Sequence, residues 1–175
     1  AAAYPELVEA ARRAEPFRSL IDPDDTRFYA PADMIATIRD YCGQTGQPVP
    51  QTRGEIVRCV LESLALRYRQ ALEQAERLTG QRFSGLHMVG GGIQNELLCQ
   101  FAADASGRPV WAGPVEASAI GNMLVQLIAA GKCRDLREGR RLVARSFPVK
   151  TYEPSNAAAW NAAYARYLKL RGSRA

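Results

Sequence analysis

Residues 86–112, LHMVGGGIQNELLCQFAADASGRPVWA, decide the fold of this chain. The short apolar run 86–89 predicts a strand, and three consecutive glycines follow it. Apolar residues then recur with helical spacing over 95–106, and Gly107 is typical of a helix end. The residues 109–112 predict a second strand. A strand, a turn, a helix and a strand within about 27 residues form a compact βαβ unit, which predicts parallel strands.

The remainder of the chain is predicted to be mostly helical. Apolar periodicity and end signals predict helices over residues 4–14, from about 31 to 43, 52–79, 115–130, 135–146 and 156–170. The helix over 52–79 is the clearest, because Thr52 and Glu55 fit a capping box and Gly80 fits a C-terminal cap. The helix before it is expected to place on one apolar face Met34, Ile35, Ile38 and Tyr41. The predicted fold class is α/β and helix-rich, with a small sheet that contains parallel strands.

Composition narrows the class of protein. With 175 residues, 47% of them hydrophobic and 23% charged, the chain suits one domain, or one domain with an appendage. It has no apolar run of the roughly 20 residues that span a bilayer, so no membrane association is expected. One histidine and four cysteines without CxxC spacing leave no ligand set for a zinc module, so no metal site is predicted. The first residues, AAAYPELVEA, lack an initiator methionine, which indicates a piece of a longer protein.

The net charge of +5 raises the question of nucleic-acid binding, because 20 of the 23 basic residues are arginine. The densest group is Arg134, Arg137, Arg140, Arg141 and Arg145. Four of these recur every three or four residues, which is typical of a solvated helix face. No aromatic residues lie between them to stack on bases, so no nucleic-acid partner is predicted.

Two cysteines are expected to be neighbours in space. Cys42 closes one predicted helix, Cys59 lies early in the next, and a short loop joins the two helices. Buried cysteines in a reducing cytosol act as small hydrophobic residues. Whether this pair oxidises is left open by the sequence.

The glycine triplet is the local signal that carries chemistry. A strand that turns through Gly90, Gly91 and Gly92 into a helix exposes backbone N–H groups at the positive end of the helix dipole, where a phosphate can approach. Asn95 fits the N-cap of that helix, and its side chain can face the same ligand. Neither GxGxxG nor a P-loop is present. The alternative interpretation is a tight turn in which glycine only satisfies a positive φ.

No residue of the chain is predicted to be catalytic. His87, the only histidine, is interpreted as a packed strand residue. Glu116 lies at a helix start, where a carboxylate is favoured by the dipole. Asp24 and Asp25 belong to a turn that needs no metal to explain it.

The stretch 86–126 resembles the carbohydrate kinases of the FGGY type. The resemblance rests on the turn VGGGxQN, the helix LLxQxxADAxG and the helix GPVEASxxGNxxVQL. Within the family the chain is most similar to the kinases of L-rhamnulose, since residues 119–122 read AIGN where other members tend to have an ALGAA-like stretch. Upstream segments, DPDDTRFYAPADM and RCVLESLALRYRQAL, are also similar, so the resemblance covers about residues 20–154.

The resemblance implies an actin-like ATPase fold of two ribonuclease-H-like domains. Residues 1–175 correspond to the C-terminal, nucleotide-side portion, and the N-terminal sugar-binding domain is absent. The family relation implies that Gly90, Gly91 and Gly92 approach ATP, that Asn95 lies near the adenine or ribose, and that the helix from Glu116 shapes the pocket. It also implies Mg²⁺ in the intact parent enzyme, a cytoplasmic setting and a place in rhamnose metabolism.

The activity that the resemblance implies is transfer of the ATP γ-phosphate to the 1-hydroxyl of L-rhamnulose. The family's N-terminal phosphate-binding segment and its Gly-His-Asp-like motif do not occur in this chain. The isolated chain is therefore predicted to be inactive, with L-rhamnulose bound through the missing domain. Two alternatives remain: a family member that acts on a different ketose or polyol, and a non-catalytic ATP-binding or scaffold domain of the same superfamily.

Overall fold

The computed structural model describes residues 3–172, and within them the chain is mainly helical. The helices are α1 (Tyr4–Arg13), α2 (Met34–Gln44), α3 (Arg53–Thr79), α4 (Glu96–Ser106), α5 (Ala117–Ala129), α6 (Leu136–Ser146) and α7 (Ala157–Gly172). The strands are β1 (Leu86–Met88), β2 (Val110–Ala112) and β3 (Lys150–Tyr152), and short 3-10 turns occur at Thr26–Phe28 and Gly91–Gln94. The helix-rich α/β class with a small sheet is confirmed.

The sheet is mixed and has the order β1-β2-β3. Strands β1 and β2 are parallel, with Leu86 opposite Val110 and Met88 opposite Ala112, as the βαβ pattern predicts. Strand β3 is antiparallel to β2 and was missed by the sequence analysis. Its three residues, Lys-Thr-Tyr, show no apolar alternation in the sequence. In the fold only Tyr152 is buried, and the other two are exposed.

Helix α3 is the central support of the fold. Its N-terminus has the predicted capping box, in which the Thr52 hydroxyl accepts from the Glu55 N–H at 3.2 Å, and Gly80 ends it in the left-handed conformation. Helix α1 crosses α3 closely, since a Cβ added at Gly54 would lie 2.6 Å from the carbonyl oxygen of Ala10. Helices α4 and α7 also pack on α3, through apolar residues that include Leu66, Leu98, Trp160 and Tyr167.

A buried ion pair fastens α1 to α3. The Arg58 Nε donates to the Glu62 carboxylate at 2.7 Å, and its Nη1 donates to the carbonyl oxygens of Ala11 and Arg12 at 3.0 and 3.1 Å. The second carboxylate oxygen of Glu62 accepts from the backbone N–H of Phe17 at 2.9 Å. Burial raises the pKa of Glu62, and Arg58 opposes that shift. The Arg58 guanidinium thus binds carbonyls in the last turn of α1, where the number of backbone donors falls.

A second cluster joins α2 to α3 and confirms that the two cysteines are neighbours. Cys42 and Cys59 are both buried there and both carry free thiols. The interaction between the two thiols lowers the pKa of Cys42, and together with burial it raises the pKa of Cys59. The single apolar face expected for α2 is wrong at its start, because Met34 and Ile35 are 44% and 43% exposed. Only the later turns of α2 reach this cluster.

Helices α5 and α6 pack on each other beside the C-terminal ends of the parallel strands. The contact is close at Gly139, where an added Cβ would lie 3.2 Å from Leu124 Cδ2. An added Cβ at Gly113, just after β2, would lie 2.7 Å from the Pro148 carbonyl oxygen, so glycine is required where β2 and the approach to β3 meet. No helix within residues 3–172 has the length and apolar character to cross a bilayer.

Candidate functional site

The glycine turn lies at the C-terminal end of β1, where this parallel strand leads into α4. Ligands of α/β sheets bind preferentially at this edge of parallel strands. Gly90 adopts φ 84° and ψ −176°, and the 3-10 turn over Gly91–Gln94 then carries the chain to the first residue of α4. The predicted strand, turn and helix therefore follow one another as the sequence indicates.

Backbone hydrogen bonds hold the turn against the segment after β2. The Gly90 N–H donates to the Pro114 carbonyl at 3.2 Å, and the Gly113 N–H donates to the Met88 carbonyl at 2.9 Å. Within the turn, the Ile93 N–H donates to the Gly90 carbonyl at 3.2 Å. Helix α5 begins shortly after Pro114, at Ala117, so its N-terminal end lies near the turn.

The three glycines are not equivalent. Gly90 alone has a positive φ, so a tight turn explains this residue but not the other two. A Cβ added at Gly91 or Gly92 would meet no atom within 4 Å. Neither residue is required by packing within the described part of the chain. Their lack of side chains leaves the backbone of the turn open to an approaching group.

Asn95 is buried and both ends of its amide are engaged. Its Oδ1 accepts from the Leu98 N–H at 3.1 Å, which confirms the predicted N-cap of α4. Its Nδ2 donates to the Tyr4 hydroxyl at 3.0 Å, across 91 positions of sequence. Tyr4 is 60% exposed and was not singled out by the sequence analysis, since no local pattern connects it to the turn. This amide fixes the turn relative to α1.

Two cavities flank the turn. One of about 250 Å³ is lined by Gly92 and Ile93 together with Tyr68 and Met88. The other, of about 430 Å³, lies between the strand ends and the α5–α6 pair, and Arg140 is its one cationic lining residue. Its remaining lining is predominantly apolar, as at Ile120 and Leu124. Both cavities offer apolar surface beside a backbone that presents polar groups.

His87 lies on the rim of both cavities and is exposed, so its interpretation as a packed residue is wrong. Its face of β1 is turned towards the cavities and away from α4. The His87 Nε2 lies 2.9 Å from the Gly113 carbonyl oxygen. The ring is thereby tied to the same glycine that bonds the end of β1.

The acidic candidates lie apart from any reactive arrangement. The Asp24 carboxylate accepts from Arg67 Nε at 2.6 Å and from Arg171 Nη1 at 3.0 Å. Asp25 caps the short 3-10 turn that follows it, as its turn interpretation predicts. Glu116 is exposed at the N-cap of α5 and makes no side-chain capping bond. Across residues 3–172, no three His, Cys, Asp or Glu side chains gather to hold a metal ion.

Comparison with known proteins places most of the chain in one family model. Residues 3–130 match the model described as the C-terminal domain of the FGGY family of carbohydrate kinases. The chain is 55% identical to a rhamnulokinase of Bacteroides thetaiotaomicron over 94% of its own length and 34% of that protein. It is 42% identical to a rhamnulokinase of Bacillus subtilis over 87% of its length and 32% of that protein. The chain thus spans about a third of the curated relatives that it matches.

Solved structures agree on the fold. A xylulose kinase from Rhodospirillum rubrum superposes with a TM-score of 0.65 at 20% identity, covering 97% of this chain and 34% of that one. A glycerol kinase from Plasmodium falciparum, solved with ADP, gives 0.62 at 18% identity and covers 95% and 34%. At these identities the likeness concerns the fold, which is the actin-like ATPase fold of sugar kinases.

Proposed function

The chain belongs to the FGGY family of carbohydrate kinases, and on that premise we propose that it is the C-terminal, nucleotide-side portion of a kinase of L-rhamnulose. The parent would transfer the γ-phosphate of ATP to the 1-hydroxyl of the sugar. Support for this substrate comes from the two relatives named rhamnulokinase, at 55% and 42% identity. The observation in this chain that carries the nucleotide role is the open backbone at Gly91 and Gly92. The proposed span is 1–175, of which residues 1–2 and 173–175 lie outside the described part.

The residues of the turn fit a nucleotide phosphate. The first N–H groups of a helical turn have no acceptor within the turn, and here no Cβ covers them at Gly91 and Gly92. Gly90 supplies the positive φ with which the chain enters this turn. In this proposal Asn95 is a positioning residue near the ribose or adenine, because its own amide is held by Leu98 and Tyr4. When bound, ATP supplies the phosphoryl group that is transferred.

Mg²⁺ is assigned no ligand from this chain. The described residues do not bring together a set of carboxylates or imidazoles for it. We propose that the metal accompanies the nucleotide phosphates in the intact parent enzyme, with any protein ligands outside residues 3–172.

The chain by itself is proposed to be inactive. Phosphoryl transfer depends on a residue that orients the attacking hydroxyl, in addition to correctly held phosphates. The carboxylate of Asp24 is bonded to arginines, and the imidazole of His87 is bonded to a backbone carbonyl. L-Rhamnulose would reach the phosphate through the sugar-binding domain outside this chain. The proposal places the parent enzyme in the cytoplasm, in keeping with four free thiols.

The experiment compares the chain with the complete parent protein. ADP release is measured with ATP, Mg²⁺ and L-rhamnulose, and then with other ketoses and polyols. We expect turnover from the parent, highest with L-rhamnulose, and none above buffer from the 175-residue chain. Turnover by the chain alone would refute its inactivity. A higher kcat/KM for another sugar would refute the substrate, and an inactive parent that still binds ATP would favour a scaffold role.

A further inference from the structure

The surface at the α5–α6 connection concentrates most of the protein's net charge. Residues 132–145 contain six basic residues and two acidic ones, while the whole chain carries +5. Four of the basic side chains line one shallow cavity with a volume of about 260 Å³. We call this cavity the basic hollow; its cations are Lys132, Arg134, Arg141 and Arg145.

Local structure fixes the backbone that carries these side chains. The end of α5 is closed by backbone bonds from Lys132 and Cys133 to the Leu127 carbonyl, at 2.9 and 3.2 Å. The Cys133 side chain is buried at the base, and its Sγ lies 3.4 Å from the Asp135 carbonyl oxygen. Arg141 and Arg145 are four residues apart on α6, which places them on the same face.

The carboxylates of this segment are already engaged. Asp135 caps α6 by accepting from the Glu138 N–H at 2.8 Å. The Glu138 carboxylate accepts from the N–H and the Nε of Arg134, at 2.8 and 3.2 Å, and these bonds lower the pKa of Glu138. No carboxylate lies within ion-pair distance of Lys132, Arg141 or Arg145 among the residues that the structure describes. Glu138 itself lines the basic hollow and is paired with Arg134, so the positive charge that stays uncompensated there is that of Lys132, Arg141 and Arg145.

This arrangement contrasts with the arginines of the helical core. Arg58, Arg69 and Arg108 each pair with a carboxylate at 2.9 Å or less. In the basic hollow, like charges at positions 141 and 145 repel each other along one helix face. A bound anion would relieve this repulsion, and guanidinium groups bind phosphate oxygens with good geometry.

We propose that the basic hollow is a binding site for a small phosphorylated anion with two or more negative charges. Its size suits a compact ligand. A nucleic-acid track is disfavoured, because no aromatic residue lines the hollow and Arg140 lines the separate apolar cavity on the other side of α6. The basic hollow shares no residue with the glycine turn, so the site is independent of the nucleotide site proposed above.

The test measures pyrophosphate and inorganic phosphate binding to the 175-residue protein by isothermal titration calorimetry at low ionic strength. The variant Arg141→Gln/Arg145→Gln removes two cations of the basic hollow with side chains that favour helix. The matched control Arg53→Gln/Arg82→Gln removes the same charge from exposed positions elsewhere. The variant Gly91→Val reports pyrophosphate bound at the glycine turn instead.

We expect saturable pyrophosphate binding that weakens at least about tenfold in Arg141→Gln/Arg145→Gln and changes less than about twofold in Arg53→Gln/Arg82→Gln. Phosphate should bind more weakly than pyrophosphate. Lys132→Gln, which lies in the loop outside α6, should also weaken binding and serves if the double variant is unfolded by circular dichroism. Equal losses in both double variants, loss confined to Gly91→Val, absence of saturable binding, or tighter binding of duplex DNA than of pyrophosphate would each overturn the proposal.

Discussion

Substitution of Gly91 by valine separates the binding role of the glycine turn from its structural role. A side chain at this position meets no atom within 4 Å, and φ of Gly91 is not in the left-handed region. The free energy of unfolding should therefore change by no more than about 0.5 kcal/mol. The added methyl groups would instead stand in front of the backbone N–H groups that we propose for phosphate. Each charge-assisted bond to phosphate contributes about 1.5–3 kcal/mol, so nucleotide affinity should fall about 10- to 100-fold.

The assay is calorimetric titration of ADP and ATP into the intact parent protein, with urea unfolding of the same samples. Gly172→Val is the matched control, because Gly172 is also open to solvent, at the end of α7. Gly90→Ala is the opposite case. Its φ of 84° and ψ of −176° strain any other residue, so it should lose about 1–3 kcal/mol of stability.

Two results would refute this reasoning. Unchanged nucleotide affinity in a folded Gly91→Val protein would show that the phosphate does not approach the turn. A large loss of stability in the same variant would show that position 91 is packed in solution. The backbone at Gly91 would then not be open to a phosphate.

Three further predictions concern the support of the site. Gly54→Ala should cost about 1–3 kcal/mol in urea unfolding, since its Cβ would lie 2.6 Å from a carbonyl oxygen of α1; an unchanged midpoint would contradict that close crossing. Arg58→Met should lower the free energy of unfolding by about 3–5 kcal/mol at neutral pH, because it leaves the Glu62 carboxylate buried and unpaired. Adding Glu62→Gln should recover part of this loss. Strictly additive effects of the two substitutions would count against the ion pair. Hydrogen bonds from Arg108 lower the pKa of Glu76 from 4.5 to about 2. The ion pair of Glu76 with Arg108 therefore contributes fully to the free energy of unfolding above pH 4.5, and this contribution is lost as the pH falls towards 2. The unfolding midpoints of the unsubstituted protein and of Glu76→Gln should then converge in acid. A difference that stays constant with pH would refute this role of the Glu76–Arg108 ion pair.

The parts of this fold that depend on neighbouring residues were predictable from the sequence. The capping box of Thr52 and Glu55 and the glycine ends at Gly80 and Gly107 act within one helical turn, and each was confirmed. The βαβ unit was predictable because a short crossover leaves only the parallel arrangement for its two strands. The family motifs lie in the same stretch.

Contacts between distant segments were decided only by the tertiary structure. Strand β3 forms because its backbone pairs with that of β2. Its own residues 150–152 show no strand pattern. The exposure of His87 follows from which face of β1 is covered by α4. The bond of Asn95 to Tyr4 joins residues 91 positions apart, and no periodicity records such a pairing.

The glycine triplet shows where the two sources of information divide. The sequence by itself determined that a turn without side chains follows a strand and precedes a helix. Glycine permits the tight turn and also leaves the backbone uncovered, because it has no Cβ. Only the folded chain distinguished the three residues. Gly90 is required by its positive φ, whereas no contact within residues 3–172 explains the missing side chains of Gly91 and Gly92. Backbone angles and free space depend on what lies nearby in three dimensions, and the residue letters are the same at all three positions.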